Sequence, residues 1–281
     1  MRTMINEYCE NILIQQTMAD FLREKLGWQV SYAHNKEKLG ANGTYGRESY
    51  EEVILPKQFA AAVKKLNPWL TDEQLGEVKK ALEGHLASAS LMTINEEKHT
   101  LLKDGVNVSY VDKNGERRQR KVQLIDFEKT ESNDFLAVQE LKIASPQFGS
   151  RRTDIVGFIN GIPLLFVELK KQTVDIANAY NDNYRDYLHK IPQLFYYNAF
   201  IILSNGLDAK IGTLGSKYAF FHEWKRLQEN EQGRVDLETM LLGVCKKENL
   251  IDLLENFIVY DHSNGRVAKI MARNHQYLGV N

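Results

Sequence analysis

The sequence is poor in several features that define whole classes of protein. Only two of its 281 residues are cysteines, Cys9 and Cys245, too few for a disulfide framework and typical of a reducing compartment. A single bridge between the two stays open. No apolar run approaches the roughly 20 residues of a membrane-spanning helix, and the first residues lack the apolar core of a signal peptide. We therefore expect a cytoplasmic protein without a membrane partner.

An excess of charge of one sign is also absent, because 36 basic side chains stand against 37 acidic ones. Contact with nucleic acid would therefore have to come from a local patch. The histidines are scattered and the cysteines lack ligand spacing, so no zinc site is predicted. There is no Gly-x-x-x-x-Gly-Lys-Ser/Thr phosphate loop, and the nearest stretch, 212–217, has the wrong spacing. We expect this chain to bind no ATP by itself.

Apolar residues make up 43% of the chain, enough for a sizeable core. Their spacing predicts helices over 5–26, 57–66 and 72–86, the last with a capping box at Thr71 and Gln74. A strand is predicted at 28–30, followed by a mobile loop over 34–46. Later strands are predicted in a hairpin that turns at 112–115 and at 134–143, 153–159, 162–169 and 195–203. Later helices are predicted at 172–188, 219–229, 234–244, 247–256 and 266–278. This order indicates an α/β fold with a mixed central sheet flanked by helices and a helical C-terminal segment.

The stretch from Arg151 to Lys170 ends an apolar run in two opposite charges. Glu168 and Lys170 follow the run 164–167 and, by the alternation of a strand, lie on one face. Buried charges are costly unless they are paired, placed at a strand end or bound to a metal. These charges therefore need a chemical explanation.

The pairing of 153–159 with 162–169 decides whether Asp154 joins them. A strict two-residue loop at Asn160-Gly161 sets Asp154 against Val167 and turns Glu168 to the other face. A longer loop or a β-bulge sets Asp154 opposite Glu168, where the two carboxylates can share a divalent cation. We predict the second register, because only that register explains the charges.

Two carboxylates and a backbone carbonyl, that of Leu169, suit Mg²⁺. Lys170 beside such an ion would orient an attacking water or stabilise charge that develops on a phosphoryl group. This division of labour hydrolyses a phosphodiester. Glu10 on the first helix, with Glu7 as the runner-up, would add a further carboxylate.

Spacing alone does not single out this set. Glu-x-Lys triplets occur four more times, and Asp126 precedes Glu140 and Lys142 at the spacing that relates Asp154 to Glu168 and Lys170. A surface ion pair is the ordinary explanation of such a triplet. The apolar run 164–167 and the turn at 160–161 favour the second set.

Several motifs resemble the N-terminal endonuclease domain of the R subunit of type I restriction enzymes. They include Arg152-Thr153-Asp154, Asn160-Gly161-Ile162-Pro163-Leu164 and Val167-Glu168-Leu169-Lys170. The likeness continues in family order through Gly27-Trp28, Leu66-Asn67-Pro68, Leu124-Ile125-Asp126-Phe127 and Ser204-Asn205-Gly206. The resemblance implies a PD-(D/E)xK nuclease core with Asp154, Glu168 and Lys170 as catalytic residues.

The family also carries a Gln-x-x-x-Tyr element, which Asn183 and Tyr187 match with asparagine in place of glutamine. Asparagine keeps the amide donor and acceptor, so the resemblance extends a catalytic role to both residues. The competing explanation is an aromatic stripe formed by Tyr180, Tyr184 and Tyr187, packed at helical spacing.

Residues 269–277 resemble the segment that leads into the helicase-like motor of the same subunit. The resemblance therefore implies an endonuclease domain over 1–260, with a core at about 105–215 and N-terminal helices packed on it, and the start of a linker at 261–281. We expect a fragment of a larger subunit or a naturally truncated gene. ATP would then serve only the intact subunit.

Candidates for contact with DNA phosphates are Arg151, Arg152 and Lys171 near the site, and Arg117 and Arg118 on the hairpin. A solvated hairpin is the alternative for the last two. The resemblance implies a Mg²⁺-dependent nuclease that cuts double-stranded DNA without sequence specificity of its own, in a complex with modification and specificity subunits. The alternative is a non-catalytic DNA-binding or assembly module in which the charges form an ion-pair network.

Overall fold

The computed structural model describes the backbone of residues 2–263 and 265–281 and the side chains of residues 13–263 and 265–281. This part of the chain contains eight α-helices and twelve strands. The elements up to the first long hairpin strand are α1 (Arg2–Glu24), β1 (Gln29–Tyr32), α2 (Pro56–Leu66), α3 (Asp72–Glu83), α4 (Leu91–Asp104) and β2 (Val106–Val111). Five strands follow, β3 (Arg117–Val122), β4 (Phe135–Gln139), β5 (Lys142–Ser145), β6 (Gly149–Arg152) and β7 (Ile155–Ile159).

The second half continues with β8 (Ile162–Leu169), a π-helical turn (Ala179–Tyr184), α5 (Arg185–Lys190), β9 (Phe200–Ser204) and β10 (Ala209–Gly212). The C-terminal elements are α6 (Leu237–Met240), a second π-helical turn (Leu241–Cys245), α7 (Lys247–Asn256), β11 (Ile258–Asp261), β12 (Ala268–Met271) and α8 (Asn274–Val280).

A six-stranded mixed sheet in the order β1-β4-β7-β8-β9-β10 forms the centre of the fold. The pairs β1–β4 and β8–β9 are parallel, and the other neighbours are antiparallel. Every residue of β4, β7, β8 and β9 is buried, as expected for strands covered on both faces. The predicted mixed α/β sheet flanked by helices is confirmed.

The β7–β8 hairpin adopts the predicted shifted register. Asn160 and Gly161, at φ 52° and 78°, form a two-residue turn that sets Ile159 opposite Ile162. The register then shifts between Gly157 and Phe158, so that Ile155 faces Val167. A bulge of one residue in β8 therefore carries the next pair, Asp154 and Glu168, into opposition.

The turn is also fixed from outside, because a Cβ on Gly161 would lie 2.5 Å from the backbone nitrogen of Phe59 in α2. Only glycine fits this approach at a positive φ.

The N-terminal helices and the capping box of Thr71 and Gln74 match prediction, but α4 was not predicted. Its buried face includes Asn95, Lys98 and His99, and these polar residues hide the helical period. The predicted strand at 134–143 is interrupted at Glu140, and the predicted helix at 172–188 begins only at 177. β10 was also missed, and β9 begins at 200 rather than 195.

The prediction of a helical C-terminal segment is wrong in two places. Residues 219–229 contain no α-helix, and the amide of Asn274 instead accepts hydrogen bonds from the backbone N–H groups of Lys225 and Arg226. β11 and β12 form a hairpin where part of the helix 266–278 was expected. In β12 Lys269 is buried while Ile270 is half exposed, an inversion of the usual pattern that misled the prediction.

Among the described residues, no helix combines the length and the hydropathy that a membrane span requires.

The loop after β1, predicted to be mobile, is held by a buried ion pair. The guanidinium of Arg47 donates to both carboxylate oxygens of Glu37, at 2.8 and 2.6 Å, and the two side chains are 0% and 3% exposed. Arg47 also donates to the carbonyl oxygens of Glu52 and Lys142, at 2.7 and 3.1 Å. The pair therefore ties the loop to the start of β5.

Loss of one partner of this pair should destabilise the protein strongly. We expect Arg47→Met to lower the free energy of unfolding by about 3–5 kcal/mol, because it leaves the Glu37 charge buried without a partner. Urea denaturation measures the change. The double variant Arg47→Met/Glu37→Met should recover much of the loss, and an equal loss in both variants would contradict the explanation. Lys64→Met, which breaks an exposed pair with Asp72, is the control.

Candidate active site

Asp154 and Glu168 oppose each other at the end of the central sheet. Asp154 is half-buried just before β7, and Glu168 is the buried penultimate residue of β8. The backbone N–H of Leu169 donates to Oδ2 of Asp154 at 2.7 Å, which fixes the Asp154 carboxylate against the end of β8. The structure thus brings together the two acids that the sequence proposed as a pair.

The surroundings raise the pKa of both acids. Burial raises the pKa of Asp154 to about 6, while the Leu169 N–H and the charge of Lys170 act in the opposite direction. Burial also raises the pKa of Glu168 well above its usual value, the Asp154 charge adds to the rise, and Lys170 opposes it. Two coupled acids with raised pKa values are typical of functional sites.

One oxygen of Glu168 is left without a partner. Oε2 is buried and accepts no hydrogen bond from any described residue. A buried acceptor in this state is costly, and such atoms in native structures usually contact a water or an ion. This oxygen is therefore available to a ligand that the described residues do not supply.

Lys170 follows β8 and is oriented by two contacts. Its backbone N–H donates to the carbonyl of Ser204 at 2.8 Å, and its ammonium donates to Oδ1 of Asn183. Asn183 belongs to the π-helical turn Ala179–Tyr184, a rare geometry that often re-aims side chains at functional sites. The structure thus places Asn183 beside Lys170.

Tyr187 lies one turn further along, in α5. Its hydroxyl donates to the carbonyl oxygen of Arg152 at 3.0 Å. Burial raises its pKa, and the charges of Glu168 and Asp154 raise it further, so the phenol stays protonated. Tyr187 also packs edge-on against Phe166. The residue is therefore part of an aromatic cluster and also lies beside the acid pair.

Gln15 is a site residue that the sequence reasoning missed. Its side-chain amide donates to Oδ1 of Asp154 at 2.6 Å, from α1. Gln15, Met18, Ala19 and Leu22 are all buried, at the spacing of one helix face. A glutamine on this otherwise apolar helix face was the feature of the sequence that could have identified Gln15. The side chains of Glu10 and Glu7 lie outside the described residues, so that prediction is untested.

Among the described residues, no cluster of three or more His, Cys, Asp or Glu side chains is arranged to hold a metal.

The competing set of Asp126, Glu140 and Lys142 is not assembled. Asp126 precedes β4 and accepts hydrogen bonds from the backbone of Glu128 and Lys129, whereas Glu140 follows β4 at the other end of the strand. Lys142 is exposed.

Glu140 instead borders the acid pair. It is 3% exposed, adopts φ 54°, and accepts an ion pair from Arg152 at 3.1 Å. Its N–H donates to the carbonyl of Asp154 at 2.9 Å, so Glu140, Asp154 and Glu168 occupy neighbouring strands at one level of the sheet.

The predicted basic contacts divide into two groups. Arg151, Arg152 and Lys171 lie next to the acid pair in the chain, and Arg151 pairs with Asp186 at 2.5 Å. Arg117 and Arg118 belong to the β2–β3 hairpin, which leads into Leu124 beside Asn160, at the sheet end away from Asp154. The structure does not bring these two arginines to the acids.

Arg118 is in addition neutralised by Asp112 at 2.5 Å and Glu116 at 3.0 Å, while Arg117 is exposed.

Sequence similarity to known proteins extends over almost the whole chain. The chain is 34% identical to the type I restriction enzyme HindI endonuclease subunit of Haemophilus influenzae over 97% of this chain and 26% of that subunit. It is 31% identical to the putative type I restriction enzyme MjaIXP endonuclease subunit of Methanocaldococcus jannaschii over 96% of this chain and 26% of that protein. The chain therefore spans about a quarter of the length of these relatives.

The family model for the type I restriction enzyme R protein N terminus matches residues 7–220, which include all four residues that meet at the acid pair, Gln15, Asp154, Glu168 and Lys170. This match covers well over half of the sequence. The chain belongs to the family of type I restriction enzyme R protein N termini.

Proposed function

We propose that this chain is the Mg²⁺-dependent nuclease domain of a type I restriction R subunit and hydrolyses phosphodiesters of double-stranded DNA. The single observation that supports it best is the opposition of Asp154 and Glu168 across β7 and β8, next to Lys170. In this proposal the β7–β8 hairpin and its neighbours form a PD-(D/E)xK core. The domain has no sequence specificity of its own.

Asp154, Glu168 and the backbone carbonyl of Leu169 would hold Mg²⁺. The unpartnered Oε2 of Glu168 supports this assignment, because hard oxygen donors are the ligands that Mg²⁺ prefers. When bound, the ion would supply Lewis-acid stabilisation of the charge that develops on the phosphate. Gln15 and the Leu169 N–H keep the Asp154 carboxylate in place without supplying charge.

Lys170 would orient the attacking water or stabilise charge on the phosphoryl oxygens. Its ammonium is held by the neutral amide of Asn183 rather than by a carboxylate, so its positive charge remains available to a substrate. Tyr187 would act on the rim, by holding the backbone of Arg152 through its hydroxyl.

Contacts to DNA phosphates would come from Arg152, Arg151 and Lys171 near the acids, and from Arg117 on the distant hairpin. Arg118 contributes less in this proposal, since two acids already surround it. The modification and specificity subunits of the complex would supply recognition, and ATP would be used by the intact cytoplasmic subunit outside this chain.

The decisive experiment separates cleavage from motor activity in an intact R subunit that carries this chain, assembled with its partner subunits. Glu168→Ala and Lys170→Ala should each reduce DNA cleavage by at least about 100-fold, because they remove electrostatic stabilisation that acts in the transition state. ATP hydrolysis should persist. Glu77→Ala and Lys79→Ala, in the Glu-x-Lys triplet of α3, should leave both activities unchanged. Retained cleavage in Glu168→Ala would sink the proposal.

Metal binding tests the acid pair directly. Titration calorimetry of the 281-residue chain with Mn²⁺ should give binding that Asp154→Ala abolishes and Asp126→Asn preserves. Affinity should increase between pH 5.5 and 7.5 with release of protons, because the carboxyl of Asp154 with a pKa of about 6 must ionise to bind. Equal heats for wild type and Asp154→Ala would instead support a non-catalytic assembly module.

The acid pair should also lower stability when no cation is bound. Between about pH 4 and pH 6 the folded state holds more protons at Asp154 than the unfolded state, so its contribution to stability falls as pH rises. Above pH 6, in chelator, Asp154→Asn should therefore be more stable than wild type by on the order of 1–2 kcal/mol, allowing for the half-exposed carboxyl.

At pH 4 the two proteins should have nearly the same melting temperature. Asp182→Asn, an exposed change in the neighbouring π-helical turn, is the control. A difference between Asp154→Asn and wild type that does not vary with pH would contradict the explanation.

A further inference from the structure

A polar cavity of about 470 Å³ opens on the Arg152 side of the acid pair. Its walls come from the anchored loop after β1 and from β5 and β6. The polar and aromatic residues that line it include His34, Asn35, Tyr50, Lys142, Ser150 and Arg152. None of them except Arg152 has a role in the proposed reaction.

The cavity is rich in hydrogen-bond donors. Nη1 of Arg152 lies 3.3 Å from Nε2 of His34 and can only donate, so Nε2 is the acceptor and the ring proton of neutral His34 is on Nδ1. Nδ1 has no hydrogen-bond partner among the described side chains and backbone groups. It therefore offers an N–H to a ligand.

Lys142 adds a positive charge without a matching acid. Its ammonium lies over the ring of Tyr50, 4.5 Å from the centroid, and makes no ion pair with any described residue. The acid in the cavity wall, Glu37, is 3% exposed, and Arg47 already binds both of its oxygens. The uncompensated charge of this cavity is therefore positive, and the ligand it suits is an anion.

Arg152 connects the cavity to the acid pair. Its side chain contacts His34 and Glu140, and its backbone carbonyl accepts the hydroxyl of Tyr187. Two residues further along the chain, Asp154 carries the proposed metal-binding carboxylate. An anion in the cavity would therefore lie within a short stretch of backbone from the reacting phosphate, as the adjacent phosphates of one DNA strand do.

We propose that this cavity is a subsite for a phosphodiester that neighbours the cleaved phosphodiester in the same DNA strand. Lys142, His34 and Ser150 would bind it together with Arg152. This inference rests on the proposed nuclease function and adds residues that the sequence motifs do not contain. Lys142 contributes charge, whereas His34 and Ser150 contribute neutral donors, so the two kinds of contact have different salt dependences.

The test is the affinity of the 281-residue chain for a fluorescent 30-base-pair duplex, measured by anisotropy in chelator from 50 to 200 mM salt. Lys142→Gln should weaken binding roughly threefold to tenfold at 100 mM salt and lower the slope of log affinity against log salt by about 1. His34→Ala should weaken binding without changing the slope. The control is Lys80→Gln, which changes an exposed lysine of α3 outside the cavity. It should change the affinity by less than about twofold and leave the slope of log affinity against log salt unchanged.

Calorimetry with Mn²⁺ separates this inference from the function on which it rests. Unchanged DNA affinity in Lys142→Gln and His34→Ala, with Mn²⁺ binding intact, would overturn the subsite and leave the nuclease proposal standing. If the wild-type chain bound no Mn²⁺, the nuclease proposal would be contradicted, whatever the DNA affinity.

Titration with inorganic phosphate distinguishes the source of the anion. Binding of free phosphate that Lys142→Gln abolishes, without any change in DNA affinity, would show that the cavity takes small anions and would overturn the assignment to a DNA strand. Competition between phosphate and DNA that disappears in Lys142→Gln would support it. Melting temperatures of the variants should equal that of wild type, because both substituted side chains lie at the surface of the cavity.

Discussion

The arrangement of the site depends on one extra residue in β8. The turn at Asn160-Gly161 fixes the first pair of the β7–β8 hairpin, and without the bulge the alternation of side chains would send Glu168 to the other face of the sheet. With it, Asp154 and Glu168 meet at the sheet end, where Lys170 and the N–H of Leu169 also lie. The close approach of α2 to Gly161 also restricts the conformation of this turn. The turn at one end of the strand pair and the bulge within it thus determine together which side chains meet at the other end.

The pair is held in a state that the fold alone does not favour. Glu168 is buried with an oxygen that accepts no hydrogen bond from the described part of the chain, and Asp154 has a raised pKa. Glu140 occupies a left-handed backbone conformation that costs energy for a residue with a Cβ. These costs are offset by the fully buried strands that surround them. Neutral amides, Gln15 and Asn183, orient Asp154 and Lys170 without cancelling their charges. Uncancelled charge that lowers stability in this way is more typical of functional sites than of residues that serve folding alone.

Local patterns predicted the parts of the fold whose residues obey the simple rules. The α2 and α3 helices, the capping box at Thr71 and the β7–β8 register follow from periodicity, turn chemistry and the cost of burying Glu168. Three of the failures share one cause, which is a polar residue at a buried position. Asn95, Lys98 and His99 concealed α4, buried Lys269 concealed β12, and buried Gln15 was not connected with Asp154. Tertiary contacts over more than 100 residues, as between Gln15 and Asp154, leave no local trace except the polar residue itself.

Glu140 shows why equal spacing in sequence gives different outcomes in space. Asp126 and Glu140 have the spacing of Asp154 and Glu168, but β4 lies between the former while a tight hairpin lies between the latter. A strand separates its two ends by about 3.3 Å per residue, so five residues of β4 keep the first two acids apart. A hairpin reverses the chain and returns the second acid to the level of the first. The positive φ of Glu140 then turns the chain out of β4 and directs its carboxylate to Arg152. Glu140 is therefore not assembled with Asp126 and Lys142, and instead holds Arg152, which borders Asp154 and Glu168.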